Sequence, residues 1–214
     1  MCEYLVKKEY SKSKENNLTT LDYYNNNAEL FICDTKDVKF SDIQKQFISY
    51  LQPCSSILDL GCGSGRDSKM FMNMGYTVTP ADGSEKLCEI TAKYLGIPVK
   101  HMLFQELDEY DRYDGVWACA SILHLKYSEL PDVLKRIVKS LKQGGVFYVS
   151  FKYGDFEGYR NGRYYTDMNE DRWSELMAHN KELLTKKIWI TDDVRAGRKD
   201  EKWFNVIAVA NKQD

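Results

Sequence analysis

The sequence predicts an α/β protein built on a mostly parallel sheet with helices on both faces. Three observations carry that expectation. Ile57-Leu58-Asp59-Leu60-Gly61-Cys62-Gly63-Ser64-Gly65-Arg66-Asp67 reads as a short apolar strand that holds a carboxylate, turns through three alternating glycines and runs into an amphipathic segment. Strand-like and helix-like runs then alternate from Ser56 to Phe151. Finally, two strand-like runs near the C-terminus have only Asp192 to Lys202 between them, too short a span for a crossover helix, so they should pair antiparallel.

The elements follow in order. A polar segment, residues 1–17, with any disorder concentrated in Lys7–Asn17, should precede a single domain over 18–214 that includes N-terminal helices within 18–52. In Leu18–Phe31 the residues Leu21, Tyr24, Ala28 and Phe31 fall 3, 4 and 3 apart, one face of a helix. Ser41 is placed to cap a second helix with Ile43, Phe47 and Leu51 on its apolar side, and Pro53 ends it. Ser56–Leu60 is the first strand, Ser64–Met74 a helix, Tyr76–Ala81 the second strand, Ser84–Leu95 a helix and Val99–Phe104 the third strand. The fourth strand, Tyr113–Ala120, is uncharged on both faces over Val116–Ala120, as a buried parallel strand should be. Leu130, Val133, Leu134, Ile137, Val138 and Leu141 form a helical stripe that Gly144-Gly145 stops, and Val146–Phe151 is the fifth strand. Lys152–Tyr165 reads as a loop rich in glycine, aromatics and arginine. Asn169–Asn180 should be a helix with Trp173 and Leu176 inward, followed by strands at Leu183–Thr191 and Trp203–Ala210.

Composition narrows the class. Hydrophobic residues make up 43% of the chain, enough for a proper core. No apolar run approaches the ~20 residues of a membrane span. Met1-Cys2-Glu3-Tyr4 lacks the basic and apolar start of a signal peptide, so the expected location is cytoplasmic. A net charge of −2 gives no general attraction to nucleic acid. The six cysteines, at 2, 33, 54, 62, 88 and 119, form no C-x-x-C pair and no zinc-like spacing, so no metal site is expected. Cys62 sits inside the glycine turn, where a small side chain is needed, and reads as packing rather than redox chemistry.

The glycine spacing decides which cofactor class fits. A dinucleotide fingerprint, G-x-G-x-x-G, would place its third glycine at Arg66; the glycines here are Gly61, Gly63 and Gly65. Asp59 ahead of them suits a cofactor with a positive amine and would repel a pyrophosphate. Asp82 ends the second strand, seventeen residues past Gly65, where a carboxylate can accept both ribose hydroxyls. Together these features disfavour a nicotinamide oxidoreductase.

The chain resembles the class I S-adenosylmethionine-dependent methyltransferases over roughly Tyr23–Ala210. Within them, Gly61–Ser68 and Trp117–His124 resemble the small-molecule group labelled tellurite-resistance-like. The resemblance implies a Rossmann-like seven-stranded sheet of order 3-2-1-4-5-7-6 with strand seven antiparallel. It implies Asp59 on the cofactor's amino group, directly or through water, and Gly61, Cys62 and Gly63 beside the methionine part. Asp82 should hold the ribose, Gly83 and Ser84 flank the adenine, and Phe104 and Gln105 border its edge. Many relatives carry an Asp at that edge, a task that falls here to Gln105 or Glu106. Cys119 and Ala120 should touch the methionine backbone. Tyr24 resembles a tyrosine that many relatives fold over the cofactor; an ordinary core aromatic is the alternative.

Methyl transfer needs alignment first, and a base only where the acceptor arrives protonated. His124, just past the fourth strand, is the candidate base, its ordinary pKa of about 6.5 being suited to proton transfer; the alternative is a histidine that shapes the pocket. Lys152, Tyr153, Arg160 and Arg163 in one loop, and Arg195 and Arg198 in another, are candidates to grip an anionic substrate. The alternative is a solvated surface paired with Glu157, Asp167 and Asp200. Ala118-Cys119-Ala120-Ser121 replaces the D/N-P-P-Y/F segment of amino-directed nucleic-acid enzymes, and no Pro-Cys stands there. A small-molecule acceptor is therefore favoured over RNA or protein, with a non-catalytic cofactor-binding protein as the other alternative. The sequence leaves the oligomeric state open.

Overall fold

The computed structural model describes residues 19–38, 40–195, 198 and 200–212. The polar segment 1–17 and Cys2 lie outside them. Nine strands are described: β1 (Ser56–Leu60), β2 (Thr77–Asp82), β3 (Lys100–His101), β4 (Tyr113–Ala118), β5 (Leu141–Lys152), β6 (Glu157–Arg160), β7 (Arg163–Thr166), β8 (Leu183–Asp192) and β9 (Lys202–Ala210). Seven of them form one sheet in the order β3-β2-β1-β4-β5-β9-β8, and β6 and β7 pair separately as a hairpin. Pairings from β3 across to β5 are parallel, and β9 runs antiparallel to both β5 and β8. This is the Rossmann-like order expected from the resemblance, with the hairpin inserted before the last two strands.

Among the described residues seven α-helices surround the sheet: α1 (Thr20–Asn26), α2 (Ala28–Thr35), α3 (Ser41–Ile48), α4 (Arg66–Asn73), α5 (Glu85–Leu95), α6 (Leu130–Ser140) and α7 (Glu170–Ala178). Side chains alternate along each strand, so the sheet feeds two cores. Leu58, Val116, Ala118, Phe147, Val149 and Phe204 join the apolar stripes of α6 and α7 on one face. Ile57, Trp117, Tyr148 and Ile207 meet Phe47 of α3 and Phe71 of α4 on the other. Trp117 and Tyr148 stack with ring centroids 4.0 Å apart. Trp173 points inward as expected, its indole N–H donating to Thr185 Oγ1 at 2.9 Å.

Several expected boundaries move for local reasons. The single helix read over Leu18–Phe31 is two helices, because the Asn27 amide turns back to donate to the Tyr23 carbonyl at 2.7 Å and closes α1. Ser41 is the first helical residue of α3 rather than its cap; Phe40 takes the cap position and Ser41 reaches Asp42. The third strand shrinks to Lys100–His101, since Phe104–Glu106 coils into a 3-10 turn closed by Glu106 Oε2 accepting from the Leu103 N–H at 2.8 Å. α6 stops at Ser140, and β5 starts at Leu141 through a register shift that carries Gly144-Gly145. The loop read over Lys152–Tyr165 contains the β6–β7 hairpin, which a polar, aromatic and glycine-rich sequence conceals. Among the described residues no helix is long and apolar enough to cross a membrane.

Phe47 fills the space between the rings of Phe71, Trp117 and Tyr148. Phe47→Ala is expected to destabilise the fold by about 3–5 kcal/mol through the cavity it leaves, read as a lowered urea midpoint with an unchanged slope.

Candidate active site

The glycine turn is held by backbone. The N–H groups of Gly61 and Cys62 both donate to the Ala81 carbonyl at the end of β2, at 2.8 and 2.9 Å. Gly61 has φ +83°, and a Cβ there would stand 2.4 Å from the Ser121 Cβ. Gly63 has φ +52°, and a Cβ there would meet the Phe31 ring at 2.9 Å. Both positions therefore need glycine, for conformation and for space. Asp82 locks the turn in place. One carboxylate oxygen accepts from the Gly63 N–H at 2.9 Å, the other from the Ser84 N–H at 2.8 Å. Burial outweighs these donors and raises the Asp82 pKa above the ordinary carboxylate value.

A second carboxylate, Asp67, escapes sequence reasoning because its partners are far away in the chain. It accepts from Arg66 Nε and Nη2 at 2.8 and 2.9 Å, from Gln44 Nε2 at 2.6 Å and from Trp117 Nε1 at 2.9 Å. Burial pushes its pKa upward, but the Arg66 charge and these donors hold it below the ordinary value. Asp59 lies behind the turn, 2% exposed, with Ser68 Oγ donating to it at 2.6 Å. Burial, then the neighbouring Asp67 charge, raises its pKa.

At the end of β4 the backbone is strained. Ala120 has φ +50°, and its N–H is held by Ser150 Oγ at 2.9 Å. The Cys119 thiol beside it is pushed up to about 12, by burial and then by Asp67, and stays protonated.

His124 occupies a short 3-10 turn after β4. Its Nδ1 faces the Tyr164 carbonyl at 2.6 Å, and a carbonyl only accepts, so Nδ1 carries the proton. Nε2 then accepts from the Tyr24 hydroxyl at 2.8 Å. Burial lowers the His124 pKa to about 4, with Arg163 adding to the effect against the Tyr164 hydrogen bond. This corrects the expectation of an ordinary value: the imidazole is neutral and a weak base, and its free lone pair is taken by Tyr24. Tyr24 is thus a partner of His124 on the cavity wall and not merely a core aromatic.

A cavity of about 540 Å³ opens at the carboxyl ends of β1, β2, β4 and β5, with α1, α2 and the hairpin as its outer walls. All the expected cofactor residues except Asp59 and Ser84 line it. Ser84 instead caps α5, and its hydroxyl donates to Asn25 Oδ1 of α1 at 2.7 Å. Gln105 lines the cavity, whereas Glu106 is spent closing its own turn. Lys152, Arg163, Arg195 and Arg198 line it too; Tyr153 and Arg160 do not. Tyr153 is 43% exposed and reaches Glu170, while Arg160 pairs with Asp167 and lies over the Phe156 ring.

Most of the expected substrate cations already have carboxylate partners. Arg195 forks onto Asp193, Lys152 reaches Asp193 and Glu201, and Arg198 lies 3.9 Å from Glu201. Among the described residues, Arg163 alone of the five has no carboxylate partner.

Comparison with known proteins agrees with this fold. A family profile described as a methyltransferase domain matches residues 57–145, from β1 to the start of β5. A ubiquinone biosynthesis O-methyltransferase of Paramagnetospirillum magneticum is 31% identical over 100 residues, 43% of this chain and 38% of the relative. The chain spans about two-fifths of the length of that relative and of its Methylobacterium nodulans counterpart, of which it covers 40%. The structure of Burkholderia thailandensis 1,6-didemethyltoxoflavin-N1-methyltransferase, with 1,6-didemethyltoxoflavin and S-adenosylhomocysteine bound, superposes with a TM-score of 0.69 at 18% identity, covering 94% of each chain. The [4+2]-cyclase SpnF superposes equally well, TM-score 0.69 at 14% identity, covering 92% of this chain and 97% of the cyclase. The fold is that of the class I methyltransferases.

The buried neutral His124 has a consequence for stability. Its folded pKa, about 4, lies below the value of about 6.5 in an unfolded chain. As pH falls, the unfolded chain takes up the proton first, so this contribution is complete above about pH 6.5 and is lost toward pH 4. The urea midpoint should drop between pH 7 and pH 5, and His124→Asn should flatten that drop; parallel curves for the two proteins would contradict a buried neutral imidazole.

Proposed function

We propose that the protein is an S-adenosylmethionine-dependent methyltransferase acting on a small, anionic acceptor. The observation that carries this reading is the glycine turn locked by Asp82 at the mouth of a cavity above parallel strands. The residues fit the cofactor. Gly61 and Gly63 leave bare backbone where a Cβ would collide, so the methionine part can lie against the turn beside Cys119 and Ala120. Each Asp82 oxygen already holds one backbone donor and keeps a lone pair, so the pair can accept two ribose hydroxyls. Gly83, Phe104 and Gln105 offer a slot for the adenine. Asp59, behind the turn, acts on the amino group through water.

The sulfonium, when bound, supplies a methyl group already activated for direct displacement. The protein's task is alignment and exclusion of water. His124 serves as a positioning residue: its protonated Nδ1 is pinned by Tyr164 and its Nε2 orients the Tyr24 hydroxyl. Walls formed by α1, α2 and the hairpin favour a small acceptor over a macromolecule. The narrower tellurite-resistance-like resemblance rests on two motifs and carries no acceptor with it.

A second reading has a specific observation behind it. An equally similar fold belongs to a protein described as a [4+2]-cyclase, so likeness of fold does not by itself assign methyl transfer. Calorimetric titration with S-adenosylhomocysteine, with NAD alongside, tests cofactor binding. Micromolar affinity for the former alone supports the proposal, and binding of neither removes it. Loss of labelled methyl from S-adenosylmethionine to an anionic metabolite panel then separates turnover from binding.

Asp82→Ala should weaken S-adenosylhomocysteine by about 1–3 kcal/mol, measured in the same calorimeter. His124→Ala should lower turnover while cofactor affinity is kept; unaltered turnover would remove the Tyr24–His124 pair from the mechanism.

A further inference from the structure

We infer that Arg163 is the anchor for a carboxylate group on the methyl acceptor, an assignment that rests on the methyltransferase reading. The hairpin turn carries Asn161 and Gly162 at φ +51° and +77°, which brings the first residue of β7 back against α1. There the Arg163 guanidinium carbon stands 4.5 Å from the Tyr23 ring centroid, 5.4 Å from that of Tyr165 and 5.9 Å from that of Tyr24. Tyrosine rings are neutral, so this cage stabilises the cation without cancelling its charge. Burial works against the charge, but the Tyr24 and Tyr165 oxygens and a hydrogen bond with Tyr24 keep the Arg163 pKa above the ordinary arginine value.

The decisive atom is Nε. It is buried and has no hydrogen-bond partner among the described residues. A charged N–H left unpaired in a protein is costly unless a ligand completes it. Arg163 lines the cavity, and a small turn of its side chain would present Nε and the neighbouring N–H to two carboxylate oxygens in a side-on fork.

Arg195, Lys152 and Arg198 already have Asp193 and Glu201 as carboxylate partners, and Lys126, which also lines the cavity, is exposed to water. Arg163 is half-buried and has no carboxylate partner among the described residues, and its planar fork matches the two oxygens of one carboxylate better than the tetrahedral oxygens of a phosphate. Arg163 is also close enough to His124 and Tyr24 to act on the pKa of each. An acceptor held by its carboxylate would therefore lie beside the Tyr24 hydroxyl.

The test starts from protein saturated with S-adenosylhomocysteine, whose own titration is read first. Acetate and benzoate are then titrated, with benzamide as the neutral counterpart and inorganic phosphate as the dianion. Benzoate or acetate should bind, and benzoate should exceed benzamide by about tenfold or more, the scale of a charge-assisted hydrogen bond. Arg163→Gln should abolish that preference while changing S-adenosylhomocysteine affinity less than about twofold. Arg163→Lys, which keeps the charge and loses the fork, should retain part of it, and it serves alone if the glutamine variant does not fold. Arg136→Gln, a surface control on α6, should match the parent. The assignment is overturned if neither carboxylate binds, if benzamide equals benzoate, if phosphate binds tighter than both carboxylates, or if the Arg163 variants bind as the parent does. Failure of the first titration instead removes the cofactor reading beneath it, and the two failures are read in separate steps.

Discussion

The site depends on one buried carboxylate. Asp67 joins three elements that share no local sequence: α4 through its own backbone and Arg66, α3 through Gln44, and β4 through Trp117. Arg66 is held in turn over the Phe40 ring at 4.5 Å. The glycine turn enters α4 one residue before Arg66, so its position is fixed by this network as much as by its own hydrogen bonds. Removing one partner of a buried ion pair strands the other charge and typically costs about 3–5 kcal/mol. The network also explains the Asp59–Asp67 imbalance. Two carboxylates share a small apolar volume, and the available donors are concentrated on Asp67 while Asp59 has Ser68.

What the sequence revealed and what it concealed divide along physical lines. Ser56–Leu60 is read residue for residue, because an apolar run bounded by serine and glycine admits one interpretation. The antiparallel pair at the C-terminus follows from a linker length alone. The strand expected over Val99–Phe104 is cut short at His101, because Glu106 closes a turn on Leu103 that the run of residues does not announce. The β6–β7 hairpin has few of the apolar alternations that mark strands; its residues are arranged by contacts to α1 and to Glu157. The glycine turn and the strand ends meet at one cavity as their order in the chain suggests, because the backbone itself forms that wall. Asp67 and its partners are not legible in the sequence, since Gln44 lies 23 residues before it and Trp117 50 after it.

The two arginine-rich segments show why composition misleads about binding. Arg195 and Lys152 look like a receptor for anions, yet both converge on Asp193, which also accepts from the Trp203 indole at 3.1 Å. Asp193 is held well below the usual carboxylate range by the Arg195 bonds against the cost of burial. This cluster braces the ends of β8 and β9 together. Residue type places a cation near a cavity; the partner already in place decides whether it has any binding capacity left.

The fastening of α1 ties the helix to the cavity. Among the side-chain hydrogen bonds that tie this short helix down are three short ones: Thr20 Oγ1 accepts from the Tyr164 N–H at 2.9 Å, Asn25 accepts from Ser84, and Tyr24 donates to His124. At about 0.5–1.5 kcal/mol each, they favour the fastened state over a released one by roughly ten- to a thousandfold. Tyr24 and Phe31 stand on that side of the cavity, so a molecule seated against them is held in part by the fastened helix. Occupancy of the cavity and order in one seven-residue helix are then coupled: whatever loosens α1 weakens the seat, and whatever fills the seat steadies α1.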